Sequence, residues 1–208
     1  MDADIPRWLD WARQIQALAQ TSTTYAENEW QVERYHRLQE IAAEIISSCS
    51  ALECAQLSDV FKAQIGYATP RIDVRGAVFQ GDKLLLVREL ADGGWTLPGG
   101  WVDVGDTPSG AAEREVWEEA GFQVKARRVI GVYDANRTGP LELFHAFKII
   151  FLCELIGGQA QPSNETSEVA FFGEDELPAG LSGERTRPRH LRDIFAAQRD
   201  PSLGTLFD

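Results

Sequence analysis

The chain has 208 residues, 44% hydrophobic and 25% charged, enough apolar content for a packed core in one large domain or two small ones. Its formal net charge of −12 excludes the broad basic surface that nucleic acid demands, so no nucleic-acid partner is expected. No apolar run approaches the roughly 18 residues of a membrane span, so no membrane partner is expected either. Cys49, Cys54 and Cys153 form no Cys-x-x-Cys pair, and the first residues carry Asp2, Asp4 and Asp10 rather than a secretory leader. Both features point to reduced thiols and a cytoplasmic location.

In chain order, residues 4–20 predict a helix with Asp4 as N-cap and Pro6 in its first turn. Trp8, Trp11, Ala12, Ile15, Leu18 and Ala19 recur there at helical spacing. Thr21 to Thr24 reads as a break. Residues 28–48 predict a second helix with Val32, Tyr35, Leu38, Ala42 and Ile45 on one stripe, and residues 51–64 a short third. Helices this few cannot bury both apolar sides alone, so they must pack on the rest of the chain or on a second copy. Residues 1–66 are therefore expected to form a helical domain serving dimerisation and walling the substrate site, and the chain to be a homodimer.

Near Tyr67 the period changes. Residues 71–79 alternate and 83–88 read as a second strand across a Gly81-Asp82 turn, a hairpin. Further strands are expected at 123–134 and 143–156, the latter mostly apolar and hence central. Residues 161–168 read as a polar loop, followed by a short Val-Ala-Phe-Phe strand and a turn at Glu174 to Pro178. Residues 186–198 predict a closing helix with Leu191, Ile194 and Phe195. His36, His145 and His190 are scattered without His or Cys partners, which argues against zinc; His145 is expected on a strand. Neither a serine-nucleophile elbow nor a P-loop is present.

The most informative stretch is 97–122. Glu115, Glu118 and Glu119 stand at i, i+3 and i+4, on one face of any helix that contains them. Alone they repel. Hard Mg²⁺ or Mn²⁺ reverses that sign, because such cations prefer carboxylate oxygen. Thr107-Pro108 supplies an N-cap and a Pro at the first helical position, and Gly121 a stop. Leu97-Pro98-Gly99-Gly100 ahead of it is a backbone-permissive loop suited to close approach by a ligand. The Glu119 side chain is expected to face solvent.

From Gly100 to Phe122 this stretch resembles the Nudix box, G-x5-E-x7-R-E-U-x-E-E-x-G-U, where U is a bulky apolar residue. Gly100, Arg114, Glu115, Val116, Glu118, Glu119, Gly121 and Phe122 match, and Asp106 replaces the first Glu. The resemblance implies a Nudix α/β/α sandwich with a mixed sheet over residues 67–208, the catalytic domain. It implies that Glu115, Glu118 and Glu119 carry Mg²⁺ or Mn²⁺, with a backbone carbonyl of Gly99 or Gly100. Asp106 then braces Arg114, one methylene shorter than usual. Residues 8–46 are similar to the helical extension of Nudix hydrolases acting on X-linked nucleoside diphosphates, such as ADP-ribose or CDP-choline, and residues 151–186 match downstream. Pro140 lies 18 residues beyond Phe122, farther than the proline associated with ADP-ribose enzymes.

The chemistry so implied is hydrolysis of a diphosphate linkage, giving a nucleoside monophosphate and phospho-X. Bound metals offset phosphate charge and acidify a water. Glu165 is the first candidate for a further acid or general base, ahead of Glu168. Arg75, Arg88 and Arg185 are candidates to neutralise the phosphates, with surface ion pairs as the other reading for each. The alternatives are a nucleotide-sensing Nudix module without turnover and a pyrophosphohydrolase that removes damaged nucleoside triphosphates. The intact glutamates speak against the first, and the helical extension against the second.

Overall fold

The computed structural model describes residues 6–135, 143–183 and 185–208; the expected cap Asp4 and Pro140 lie outside them. It divides into two compact units, Met1–Pro70 with Leu141–His145, and Arg71–Pro140 with Ala146–Asp208.

The first unit is helical: α1 (Arg7–Thr24), α2 (Glu29–Cys49) and α3 (Cys54–Lys62). Its core is Leu9, Ala12, Ala42, Ala43, Ile46, Leu57 and Phe61. The expected break at Thr21 to Thr24 is overturned, because α1 runs through it. Thr23 and Thr24 donate their hydroxyls to the carbonyls of Ala19 and Gln20, four residues back, which satisfies them inside the helix. Asn28 instead opens α2, its side chain accepting from Gln31 N at 3.0 Å. The buried face of α2 is Gln39, Ala42, Ala43 and Ile46, rotated from the expected stripe and leaving Leu38 exposed. On α1, Trp11 and Leu18 are likewise exposed. The third helix is shorter than expected at both ends.

The second unit holds β1 (Arg71–Gln80), β2 (Lys83–Glu89), β3 (Trp95–Thr96), α4 (Pro108–Ala120), β4 (Phe122–Asp134), β5 (Ala146–Gly158), β6 (Thr166–Phe172), a 3₁₀ turn at Glu174–Glu176, α5 (Pro188–Arg199) and β7 (Leu206–Phe207). The sheet is mixed, in the order β3-β2-β1-β5-β4-β7, with β6 also paired to β2. β1 and β2 form the expected hairpin, Gln80 opposite Lys83, and Gly81 supplies the positive φ of the two-residue turn. β1 and β5 are parallel and β4 and β5 antiparallel. β6 begins at Thr166, inside the expected loop, because its polar residues pair along β2: Glu168 stands opposite Arg88 and Thr166 opposite Glu89. His145 precedes β5 rather than lying on it. The two-residue strands β3 and β7 are too short to show a period in sequence.

Strand alternation sends successive residues to opposite faces. Val74, Val78, Leu85 and Val87 pack against Ala111, Ala112, Val116 and Ala120 of α4. Ala77, Leu84, Leu86 and Ile150 pack against Leu191, Ile194 and Phe195 of α5. Two helices on opposite faces of one mixed sheet make the α/β/α sandwich. Thr107 caps α4 by accepting from Gly110 N at 3.1 Å, with Pro108 in the first turn. Gly121 ends the helix in the left-handed region at φ 75°.

Candidate active site

The loop ahead of α4 is fastened to β1. Val74 N donates to Gly100 O at 2.8 Å and Gly76 N to Pro98 O at 2.9 Å. The Arg75 guanidinium donates to Leu97 O at 3.2 Å. Gly99 has φ 147°, and a Cβ there would lie 2.0 Å from Val74 O, so only glycine lets the loop lie this close to the strand. From the other side Glu119 accepts the Gly99 N–H at 2.9 Å. A Cβ on Gly100 would lie 3.1 Å from Glu115 Oε2, which places the loop backbone against that carboxylate. Strand, glycine loop and helix thus fix two of the three box glutamates against one turn of backbone.

The expectation that Glu119 faces solvent is overturned: only 6% of it is exposed. Burial pushes its pKa up to about 7, although Arg75 and the Gly99 N–H both pull it down. Burial likewise raises Glu115, against the pull of Arg114. Glu118 stands half out in solvent. Arg114 is the hub of the outer part of the site. One guanidinium nitrogen lies 2.8 Å from Glu115 Oε1 and 3.0 Å from Glu118 Oε2, and the other 3.2 Å from Asp106 Oδ2. The shorter Asp106 therefore reaches Arg114 directly. While Arg114 stands between Glu115 and Glu118, and Glu119 is turned to Gly99, no three Asp, Glu, His or Cys side chains among the described residues are gathered in an arrangement that could hold a metal ion.

The arginines differ in placement. Arg75 is buried in a two-pronged pair with Asp73, at 3.0 and 2.6 Å. Lys148, also buried, adds a contact to Asp73 at 3.2 Å and donates to Arg185 O at 2.7 Å. Arg75 and Lys148 together outweigh the cost of burial on Asp73 and hold its carboxyl below the usual range. Arg88 pairs with Glu168 at 2.6 Å across the β2–β6 ladder, both partly exposed. Arg185 pairs with Glu89 at 2.5 Å. Glu165 is exposed in the turn before β6, and its neighbour Thr166 donates to Glu119 O at 2.7 Å, tying that turn to the end of α4. The structure thus brings Glu115, Glu118, Glu119, Arg114, Asp106 and the Gly99–Gly100 backbone together. Asp73 and Lys148 were not anticipated from sequence. The signal was present in Arg71, Asp73 and Arg75, whose two-residue spacing puts three charges on one strand face.

Comparison with known proteins agrees with this architecture. Residues 69–193 match the model of the NUDIX domain, and residues 6–61 match a model described as a UDP-X-like, N-terminal oligomerisation domain. The protein YjhB of Bacillus subtilis (strain 168), provisionally named an ADP-ribose pyrophosphatase, is 36% identical over 203 residues, 97% of each chain. A crystal structure of an ADP-ribose pyrophosphatase from Streptococcus suis 89-1591 superposes with a TM-score of 0.62 at 41% identity, covering 67% of this chain and all of that one. A crystal structure of a UDP-X diphosphatase gives a TM-score of 0.62 at 30% identity over 97% of this chain and 98% of the other. With the glutamate helix, the glycine loop and the sandwich in place, and a matching domain model over more than half of its length, the chain belongs to the Nudix hydrolase family.

Proposed function

We propose that this enzyme hydrolyses the diphosphate linkage of a nucleoside diphosphate joined to X, of the ADP-ribose or CDP-choline type, with Mg²⁺ or Mn²⁺. The products are a nucleoside monophosphate and phospho-X. The observation that carries this reading is the Gly99–Gly100 backbone, hydrogen-bonded to Glu119 and lying against the Glu115 carboxylate. The donor set suits a hard cation: it offers carboxylate and carbonyl oxygen and no sulfur or imidazole. Burial raises Glu115 and Glu119 above the usual carboxylate range, and a divalent ion bound between them would favour their charged forms.

Glu115, Glu118 and Glu119 would hold the ion with a carbonyl of Gly99 or Gly100; the Gly100 oxygen already accepts from Val74 N and has one lone pair left. When bound, the ion offsets phosphate charge and lowers the pKa of a water. Arg114 must then yield part of its hold on Glu115 and Glu118, and Asp106 keeps it beside the helix. Glu165 takes the proton of the attacking water from the turn beside Glu119. Arg88 and Arg185, both partly exposed, exchange carboxylate partners for phosphate oxygen. Arg75 acts from behind, through the Leu97 carbonyl. The relatives named for ADP-ribose and UDP-X support the substrate class. We further propose a cytoplasmic homodimer joined through the helical unit, residues 1–66, in keeping with the oligomerisation model that it matches.

The test is a product assay across ADP-ribose, CDP-choline, UDP-sugars and nucleoside triphosphates, each with Mg²⁺ and with Mn²⁺. Release of nucleoside monophosphate from at least one diphosphate-X compound is expected, well above any triphosphate turnover. Tight binding without turnover would make the chain a sensor, and preference for triphosphates would replace the substrate class.

A further inference from the structure

Trp101 follows Gly100 directly and is 45% exposed, outside all three hydrophobic cores. We propose that its indole is the platform on which the base of the nucleotide stacks, an assignment that rests on the hydrolase reading above. The backbone fixes where the ring points. Val74 N donates to Gly100 O and Val102 N to Ile72 O, at 2.8 and 3.1 Å, and between them Asp73 and Trp101 are bridged antiparallel. That makes Asp73 and Trp101 a non-hydrogen-bonded pair, in which the two side chains are closest and leave the same face of the sheet. Arg71, two residues before Asp73, shares that face. Its guanidinium lies 6.0 Å from the centre of the indole ring, an independent check on the ring's direction.

Gly100 lies against the Glu115 carboxylate, and neighbouring Cα atoms are about 3.8 Å apart. The ring therefore starts one residue from the acid cluster that takes the diphosphate, within reach of the base of the same nucleotide. A tryptophan left half exposed costs the fold its burial, and here it is held by two backbone hydrogen bonds and a cation. Stacking needs only a flat π face, so the platform accepts any base; it supplies affinity for a nucleoside rather than a choice among bases.

The test uses the full-length, metal-free protein and two ligands, AMP and ribose 5-phosphate, which share the phosphate and differ in the base. Calorimetric titration of the intact protein should show tighter binding of AMP. Trp101→Ala should weaken AMP by between about fivefold and about a hundredfold, leave ribose 5-phosphate unchanged, and so erase the difference. Trp101→Phe should keep most of it. Equal loss for both ligands would mean a damaged loop, and unaltered AMP binding would mean no stacking; either overturns the proposal. So does an intact protein that fails to prefer AMP. A change of sedimentation in Trp101→Ala without loss of AMP would assign the ring to self-association instead. No turnover enters these readings, so failure of the hydrolase assay and failure of the platform are told apart.

Discussion

Glu119 joins two requirements in one side chain. In the proposed role it supplies charge for a cation, and its oxygen accepts the Gly99 N–H while the side chain is almost wholly buried. Glu119→Gln keeps an oxygen for that N–H and removes the charge. Its turnover should fall by about a hundredfold or more, as for loss of a transition-state charge contact, while the melting temperature holds or rises because no carboxylate is buried. Glu119→Ala leaves the N–H unpaired and should lose about 1–3 kcal/mol of stability besides. Turnover and melting curves of both variants check this, and near-normal turnover in Glu119→Gln would remove the residue from the site. Its membership of the acid cluster was legible in the spacing of three glutamates. Its burial was not, because the covering atoms come from a loop 20 residues away.

At the scale of elements, α5 carries a pH response through one buried histidine. His190, in its first turn, is buried, lies tilted against Tyr133 with ring centres 5.0 Å apart, and accepts from Arg187 N at 3.3 Å. Burial first, then the nearby positive charges of Lys148, Arg75 and Arg189, depress its pKa to about 3, with Asp73 opposing. An unfolded histidine titrates near ~6.5. The unfolded chain therefore binds the proton first as pH falls. The stability tied to neutral His190 is complete above ~6.5 and is lost progressively down to about 3. Glu119, held at about 7 in the folded state, gains its proton over the same range and opposes this loss. It is therefore in a Glu119→Gln background that the melting temperature should drop as pH goes from ~7 to ~5. His190→Gln should flatten that drop, and an unchanged slope would refute the assignment. The helix itself was readable from Leu191, Ile194 and Phe195. The histidine's role depends on charges from β1 and β5, remote in sequence.

At the scale of the whole molecule, the helical unit presents a surface for assembly. The helical unit leaves Trp11 52% and Leu18 68% exposed, seven residues apart and so on one face of α1, with Trp30 73% exposed on α2. Large apolar side chains gathered on one unit are the usual mark of a contact surface. Sedimentation of the intact chain at tens of micromolar, roughly the range for an interface of ordinary affinity, should give a dimer. The double change Trp11→Asp and Leu18→Asp should give a monomer with the second unit still folded, since that unit has its own two cores. A clean monomer from the unaltered chain would remove the dimer.

What the sequence determined alone is local. The caps and stop of α4, the β1–β2 hairpin, the apolar face of α5 and the acid cluster each rest on residues within one or two turns or one hairpin of each other. Propensity and hydrogen bonding at that range are written in the chain. What only the tertiary structure decided is burial, register and pairing between distant segments. It rotated the buried face of α2, extended β6 along β2, enclosed Arg75 and Asp73 with Lys148, and set Trp101 beside Asp73 on one sheet face. Those outcomes depend on which strand lies next to which. A one-residue slip of register would send every side chain of a strand to the other face without changing any local propensity.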